Sequence, residues 1–436
     1  MSFWIVLSCT AIVEWFVLRR LRFDWFVVAT VLAGTVLCVD YLTYTSISER
    51  NYDGPSQIVY IQSIAQHLRL PDVYACGPCG HPPLYYALAA LWSKLVLVGG
   101  WMPLELGLKW LSLLLFVGFI VFSLLIVRSC VERQTTLRLA AALIVFWPSS
   151  IINSVRVHND SLASLLMLAA MYFIAQWDRQ GRARSFYAAL AASALALLTK
   201  SSGYTVAAAL VFFAVLRLRS PGMRWANLKY LATATLVLAG VAVLAVGFRE
   251  FREPTTLCQK VLGHACDGRY VPSIPDTPSR FLDFNAADFV LHMDTVPADP
   301  FLNRLAKSSL FGVISLGDDF GGERHKALAI LISVLLLAMV AVCVVGLPLL
   351  GKARLRRCRA YFGTAIIMFI FLVAFRIRAP NEFHEDFRHI FPALVPLCVV
   401  YAIIVERLGP LSKVLHHAAV AIAMLMVASS VAFFAQ

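Results

Sequence analysis

The sequence predicts an all-α protein that crosses a membrane many times, and three observations carry that reading. Sixty per cent of the 436 residues are apolar and only 14% are charged. The apolar residues fall in runs near the ~20 needed to cross a bilayer as a helix. Their pattern lacks the short alternation of an outer-membrane barrel, and only helices or closed barrels satisfy the backbone inside hydrocarbon. The net charge of +13 would suit a nucleic-acid partner, but its placement points elsewhere. Arg and Lys gather in short loops between alternate runs: Arg19 to Arg22, Arg128 to Arg138, Arg179 to Arg184, Arg217 to Lys229, Lys352 to Arg359 and Arg407 to Lys413. Cytoplasmic loops carry this bias, so the longer, mixed-charge loops are placed outside.

Taken in order, residues 1–44 hold two apolar runs, at about 3–18 and 24–44, joined by the basic turn. The first lacks a basic flank before it, so an uncleaved span with an outside amino terminus is expected. Residues 45–104 form the first outer loop, the stretch around which the rest is organised. Within it Ile58, Ile61, Ile64, Ala65 and Leu68 recur at helical spacing with polar residues opposite, which predicts a helix lying on the membrane surface. Pro82-Pro83 opens a second, half-buried helix reaching about residue 98. Residues 105–248 make a central bundle, with spans near 105–128, 136–152, 160–177, 186–200, 204–217 and 228–248. Residues 249–326, with nine basic and eleven acidic side chains, are too long for a simple connector and predict a small folded cap. Residues 327–436 supply four more spans, for twelve in all, the least regular being 3–18 and those within 186–217.

Cysteine placement agrees with this topology. Cys76, Cys79, Cys258 and Cys266 fall in the outer loops, and loop pairs in an oxidising compartment read as disulfides. Zinc would need four converging ligands, and the Cys258 to Cys266 spacing is poor for half of such a site.

Four groups of residues could carry chemistry. Asp53, in Tyr52-Asp53-Gly54-Pro55, sits at the outer mouth of the bundle. An Asp there could simply cap the next helix, yet ionisable groups near membrane depth tend to be functional. The second group runs from Arg156 through His158 and Asp160; Asn159-Asp160-Ser161 could cap a span, but caps need no cation. The third is Lys200, either a snorkelling lysine or an anion contact. The fourth spans Arg376 to His389 and includes Arg378, Glu385 and Arg388. Its histidines, His384 and His389, are five apart and do not match a metalloprotease helix, whereas its arginines suit a phosphate held in bidentate fashion. Asp318-Asp319 in the cap could take a divalent metal, though such a pair is more often a solvated turn. A carboxylate to remove a proton and cations to stabilise a phosphate leaving group are the equipment for transfer from a phosphate-linked donor. No Walker loop is present, so the donor is expected on a lipid carrier.

These residues resemble the GT-C membrane glycosyltransferases, which include protein O-mannosyltransferases and the aminoarabinose transferases that modify lipid A. The resemblance rests on Tyr52-Asp53-Gly54-Pro55, His81-Pro82-Pro83-Leu84-Tyr85-Tyr86, His158-Asn159-Asp160-Ser161-Leu162, Thr199-Lys200 and Arg388-His389-Ile390-Phe391-Pro392. It implies an inverting transfer of one sugar from a polyprenyl-phosphate donor to a hydroxyl of a protein such as a pilin, of lipid A or of an envelope glycan. The site would face the periplasm from a bacterial inner membrane. By resemblance Asp53 is the base, and Lys200, Arg388, Arg156 and Arg378 hold the donor phosphate. Tyr52, His81, Tyr85, His158, Asp160 and Glu385 contact substrate. No metal or cofactor is implied. Many relatives carry Asp-Glu where this chain has Asp53-Gly54, so a second acid must come from elsewhere, with Glu49 a candidate. The large carboxy-terminal soluble domain of oligosaccharyltransferases has no counterpart here. The competing classes are a transporter or lipid-linked sugar flippase, and a non-catalytic assembly protein; the absence of an internal repeat weighs against transport.

Overall fold

The computed structural model describes residues 2–51, 53–73, 75–98, 100, 102–218, 224–250, 277–292, 299–312, 320, 322–378 and 382–435. Among them the chain is helical, with no strand. α1 (Ser2–Arg20) and α2 (Trp25–Tyr44) pair through a tight basic turn, and Asp24 caps α2 by accepting from the Val27 amide. The first outer loop folds into α3 (Gly54–His67) and α4 (Leu84–Val98). A central bundle follows: α5 (Leu104–Cys130), α6 (Gln134–Val145), α7 (Pro148–Val155), α8 (Asn159–Gln180), α9 (Ala183–Leu197), α10 (Tyr204–Leu218) and α11 (Arg224–Glu250). Short helices α12 (Pro278–Leu282), α13 (Ala286–Leu291) and α14 (Phe301–Phe311) belong to the large loop. α15 (Glu323–Gly346), α16 (Lys352–Arg378), α17 (Leu394–Leu408) and α18 (Lys413–Phe434) complete the chain.

Nine helical stretches among the described residues are long and apolar enough to cross a membrane, and ten if α6 and α7 are one span bent by 53°. The bend falls at Pro148, which has no N–H to continue the α6 ladder. The two remaining expected spans are α1, of 19 residues, and α9, only 15 residues long. This is a multi-pass membrane protein, with the count of twelve resting on those two helices.

The basic turns that the sequence places on one side meet at one end of the bundle. Arg128 donates to the Leu21 carbonyl, and Arg138 pairs with Asp24 at 3.1 Å. Arg357 reaches Glu132 at 2.5 Å while Arg179 donates to the Arg357 carbonyl at 2.7 Å. Arg359 grips Asp178 through two 2.7 Å bonds, a bidentate pair. Arg354 and Arg133 share Glu406 at 2.7 and 3.4 Å. α8 stops here because Gly181 takes φ 68°, a left-handed conformation that glycine adopts without a Cβ penalty.

At the opposite ends of α2, α5 and α8 lies the first outer loop. Ile61 is fully buried, and Ile58, Ile64 and Ala65 pack beside it on α4 and α5. Leu68 departs from the expected apolar face: it terminates α3 with φ 53° and is 81% exposed. Tyr60 and Tyr86 stack 3.7 Å apart, and the Tyr86 hydroxyl donates to Gln57 at 2.8 Å, which fixes α3 on α4. Cys76 and Cys79 are disulfide-bonded within this loop; Cys258 and Cys266 lie outside the described residues. The described part of the large loop seats α14 on the bundle, with Trp147 donating to the Ser309 carbonyl at 2.7 Å and Arg50 to that of Phe311.

Glu385 is the buried link between that loop and the last spans. Its carboxylate, with no exposure, meets Arg376 at 2.6 Å, Arg280 at 3.3 Å and Arg304 at 3.5 Å. Removing one member of a buried ion cluster strands the others in a low dielectric. Glu385→Ala is therefore expected to destabilise the protein by about 3–5 kcal/mol, read as a lowered thermal midpoint in detergent, with Glu385→Gln falling between it and the wild type.

Candidate active site

Asp53 ends the turn that leads into α3, and its side chain makes no capping bond to that helix. The capping explanation of this acid is therefore removed. The turn is held from beneath, because Asn51 Nδ2 donates to the Val157 carbonyl at 3.3 Å and the Gly54 amide to the Asn51 carbonyl at 2.8 Å. A Cβ at Gly54 would lie 2.3 Å from the Ile47 carbonyl oxygen. Backbone does not yield to such a contact, which accounts for the glycine after Asp53.

The loop between α7 and α8 brings His158 under Asp53. His158 Nε2 stands 3.6 Å from Asp53 Oδ2, and its Nδ1 lies 2.8 Å from Asp160 Oδ2. Nδ1 is also 3.2 Å from the Asp160 amide, and it cannot both accept from that amide and donate to the carboxylate. The amide bond decides, because Asp160 Oδ2 makes no hydrogen bond among the described residues; Nδ1 accepts from the amide, and Nε2 carries the ring proton toward Asp53. Asp160 Oδ1 in turn meets Lys200 Nζ at 2.5 Å. Lys200 is 4% exposed, which excludes the snorkelling explanation. It is delivered by the turn after α9, where the Leu84 amide donates to the Leu198 carbonyl at 3.1 Å and so fastens α4 to the same turn.

Arg388 arrives from the far end of the sequence, in the 3₁₀ segment Phe387–Ala393. Asp386 orients it twice: Oδ1 accepts from the Arg388 amide at 2.8 Å, and Oδ2 stands 3.5 Å from its Nε. The guanidinium reaches to 4.0 Å of both Asp53 and Asp160. Among the described residues Arg388 Nε and Nη1 are buried yet make no hydrogen bond, and the same holds for Arg156 Nε and Nη2. Arg156 is 5% exposed and has only a 3.5 Å contact from Nη1 to Asn153. Two buried guanidiniums with unused donors, near enough for their charges to oppose each other, are suited to an oxyanion. A narrow cleft opens beside Arg388, lined by Asp160, Asn153 and the rings of Phe116, Phe119 and Phe391.

The charges set the protonation of the outer groups. The His158 contact, followed by the fields of Arg388 and Lys200, holds the Asp53 carboxyl at about 2 against the opposing effect of burial. Burial pulls the Arg156 guanidinium below its ordinary value, with repulsion from Arg388 adding to it. Burial likewise lowers the Lys200 ammonium, which Asp160 partly restores.

The structure thus brings together Asp53, His158, Asp160, Lys200, Arg388 and Arg156. Glu385 is spoken for by its three arginines, away from this cluster. Arg378 is exposed at the end of α16, while Arg376, two residues earlier, points inward. Tyr85 is buried beneath the outer loop, and the His81 carbonyl accepts from Tyr60 at 3.2 Å. Tyr52 and the pair Asp318-Asp319 lie outside the described residues. Asp386 was not singled out in the sequence, although its place two residues before Arg388 was the available signal.

The fold is that of the GT-C membrane glycosyltransferases. It matches the oligosaccharyltransferase of Archaeoglobus fulgidus with a TM-score of 0.50 and 14% identity over 94% of this chain and 56% of that one. The undecaprenyl phosphate-bound ArnT of Cupriavidus metallidurans aligns with a TM-score of 0.49 and 16% identity, over 89% of this chain and 61% of the other. The chain therefore spans less than two thirds of the length of either. Residues 99–251 match the family of dolichyl-phosphate-mannose-protein mannosyltransferases. No curated protein sequence matches the chain.

A carboxyl held below its unfolded value contributes stability that is complete above the ordinary 3.8 and is lost as pH falls through about 2. The difference in thermal midpoint between the wild type and Asp53→Asn should accordingly stay constant from pH 8 to 5 and shrink below pH 4. A difference that begins to close near pH 6 would contradict the low value.

Proposed function

We propose that the protein transfers a single sugar from a polyprenyl-phosphate donor to an acceptor hydroxyl at the outer face of the membrane. The observation that carries this reading is the pair of buried arginines, Arg388 and Arg156, with unused donors beside an ionised carboxylate. Arg388 binds the donor phosphate and stabilises it as it leaves, and Arg156 adds a second guanidinium. Asp53 removes the proton from the acceptor hydroxyl as its oxygen attacks the anomeric carbon. The matched family is named for a polyprenyl-phosphate-linked monosaccharide and a protein acceptor, and both features are carried over here as part of the proposal. The transfer is read as cofactor-free, with the arginines supplying the positive charge at the leaving group.

Lys200 takes a different part from the one its sequence suggests. Its ammonium is committed to Asp160 at 2.5 Å, so it steadies the site and adds to its positive field instead of gripping the phosphate directly. The outward orientation is supported by two features at opposite ends. The basic turns interlock at the end of the bundle away from Asp53, and the Cys76–Cys79 bond lies in the loop that carries Asp53.

Purified protein, a radiolabelled polyprenyl-phosphate sugar and envelope extract as acceptor test the reading. Asp53→Asn should retain donor binding and lose transfer by about 10²–10⁴-fold, the range for general-base help. Arg388→Ala should weaken donor-lipid binding itself. Wild-type transfer by Asp53→Asn would refute the assignment of the base.

A further inference from the structure

Asp386 is a buried acid to which neither donor binding nor the attack gives a part. It is 4% exposed, and its two oxygens are differently occupied. Oδ1 accepts from the Arg388 amide at 2.8 Å. Oδ2 makes no hydrogen bond among the described residues and stands 3.5 Å from Arg388 Nε, a donor that is itself unused. We propose that Asp386 is a built-in counter-ion of the phosphate site: its charge opposes the lipid phosphate at Arg388 and keeps the product from being held more tightly than the donor. The proposal rests on the glycosyltransferase reading above and adds to it a residue that governs product release.

The local backbone does not need the second oxygen. The Phe387 amide donates to Ser308 Oγ of α14 at 2.9 Å, and the His389 amide donates to the Asp386 carbonyl at 3.2 Å. The Oδ1 bond to the amide two residues on completes the turn, and asparagine makes the same bond. None of these contacts requires a negative charge at residue 386. A buried carboxylate oxygen without a hydrogen bond is costly, and the guanidinium field is what offsets it. That charge acts on Arg156 as well as on Arg388.

The chemistry of the transfer creates the need. The donor phosphate is a singly charged diester. As the acceptor oxygen bonds to the anomeric carbon, its O–H bond breaks and the proton passes to Asp53. The bond from that carbon to the phosphate oxygen breaks, its electron pair stays on the phosphate, and the product is a doubly charged monoester. Coulomb attraction scales with charge, so cations alone would hold the product with about twice the energy of the donor. Around the cleft Arg388, Arg156 and Lys200 are matched by Asp53, Asp160 and Asp386. Asp160 is committed to Lys200, and Asp53 takes up the acceptor proton. Asp386 therefore keeps its charge facing Arg388 at the moment the phosphate becomes a dianion.

Asp386→Asn retains the acceptor for the Arg388 amide and removes only the charge. At pH 8 the purified variant should bind polyprenyl phosphate about tenfold more tightly, and the singly charged methyl ester of that lipid about threefold, since the energy follows the ligand's charge. Steady-state transfer should slow behind a burst of a single turnover, with polyprenyl phosphate inhibiting at lower concentration. A role confined to holding Arg388 in place predicts the opposite sign, and binding of both lipids that is unchanged or weaker overturns the proposal. The wild type, for its part, should bind the two lipids within about threefold of each other, and a monoester held about a hundredfold more tightly than its methyl ester overturns the proposal as well. That second measurement needs no variant, so it stands even if the substitution disturbs the fold. Sugar transfer by the wild type beside an Asp386→Asn protein that binds product no more tightly would sink the counter-ion alone; a wild type that binds neither lipid would sink the underlying reading with it.

Discussion

The site depends on one buried ion pair, Lys200 with Asp160. An unpaired ammonium or carboxylate at that depth would be costly, and each makes the other tolerable. With Asp160 held by Lys200, its amide donates to His158 Nδ1 and orients the ring, and His158 sets the state of Asp53. The half-buried acid at the mouth thus takes its protonation first from His158 and then from the fields of Arg388 and Lys200. The turn of Lys200 is tied by backbone to the start of α4, so the first outer loop and the central bundle share one point of reference.

Around that pair the charges are distributed by segment. Asp53 comes from the first loop, His158 and Asp160 from the start of α8, Lys200 from the turn after α9 and Arg388 from beyond α16. No segment alone holds a usable site. Arg388 and Arg156 keep unused donors among the described residues, while Asp160 Oδ2 and Asp386 Oδ2 also lack hydrogen-bond partners. The unused guanidinium donors are what suits the cleft to an anion.

Much of this was legible in the sequence. Apolar run length gave the spans, and loop charge gave the turns that gather at one end of the bundle, because both follow from transfer out of water residue by residue. Asp53, Lys200 and Arg388 could be named because an ionisable group at the edge of an apolar run has few bland explanations. What was not legible depends on helix phase or on distant partners. Arg376 and Arg378 look equivalent in the sequence, yet two residues on a helix turn the side chain to the opposite side, so one is buried and the other exposed. Glu385 looks like a substrate ligand until Arg280 and Arg304, some 80 to 105 positions earlier, claim it. Leu68 fits the apolar period, but the chain ends the helix there in a left-handed turn. The glycine after Asp53 could be explained only once the Ile47 carbonyl was seen against it.

α8 has a mechanical consequence. It is anchored at both tips, by Lys200 on Asp160 at one and by Arg359 on Asp178 at the other. Its 22 residues rise ~33 Å, close to the thickness of a hydrocarbon layer. Such a strut cannot piston through the membrane without releasing one anchor. The charged groups of the site therefore keep a fixed height above the opposite surface, and under the proposed function a lipid-borne donor would reach them sideways, at the level where its own headgroup floats.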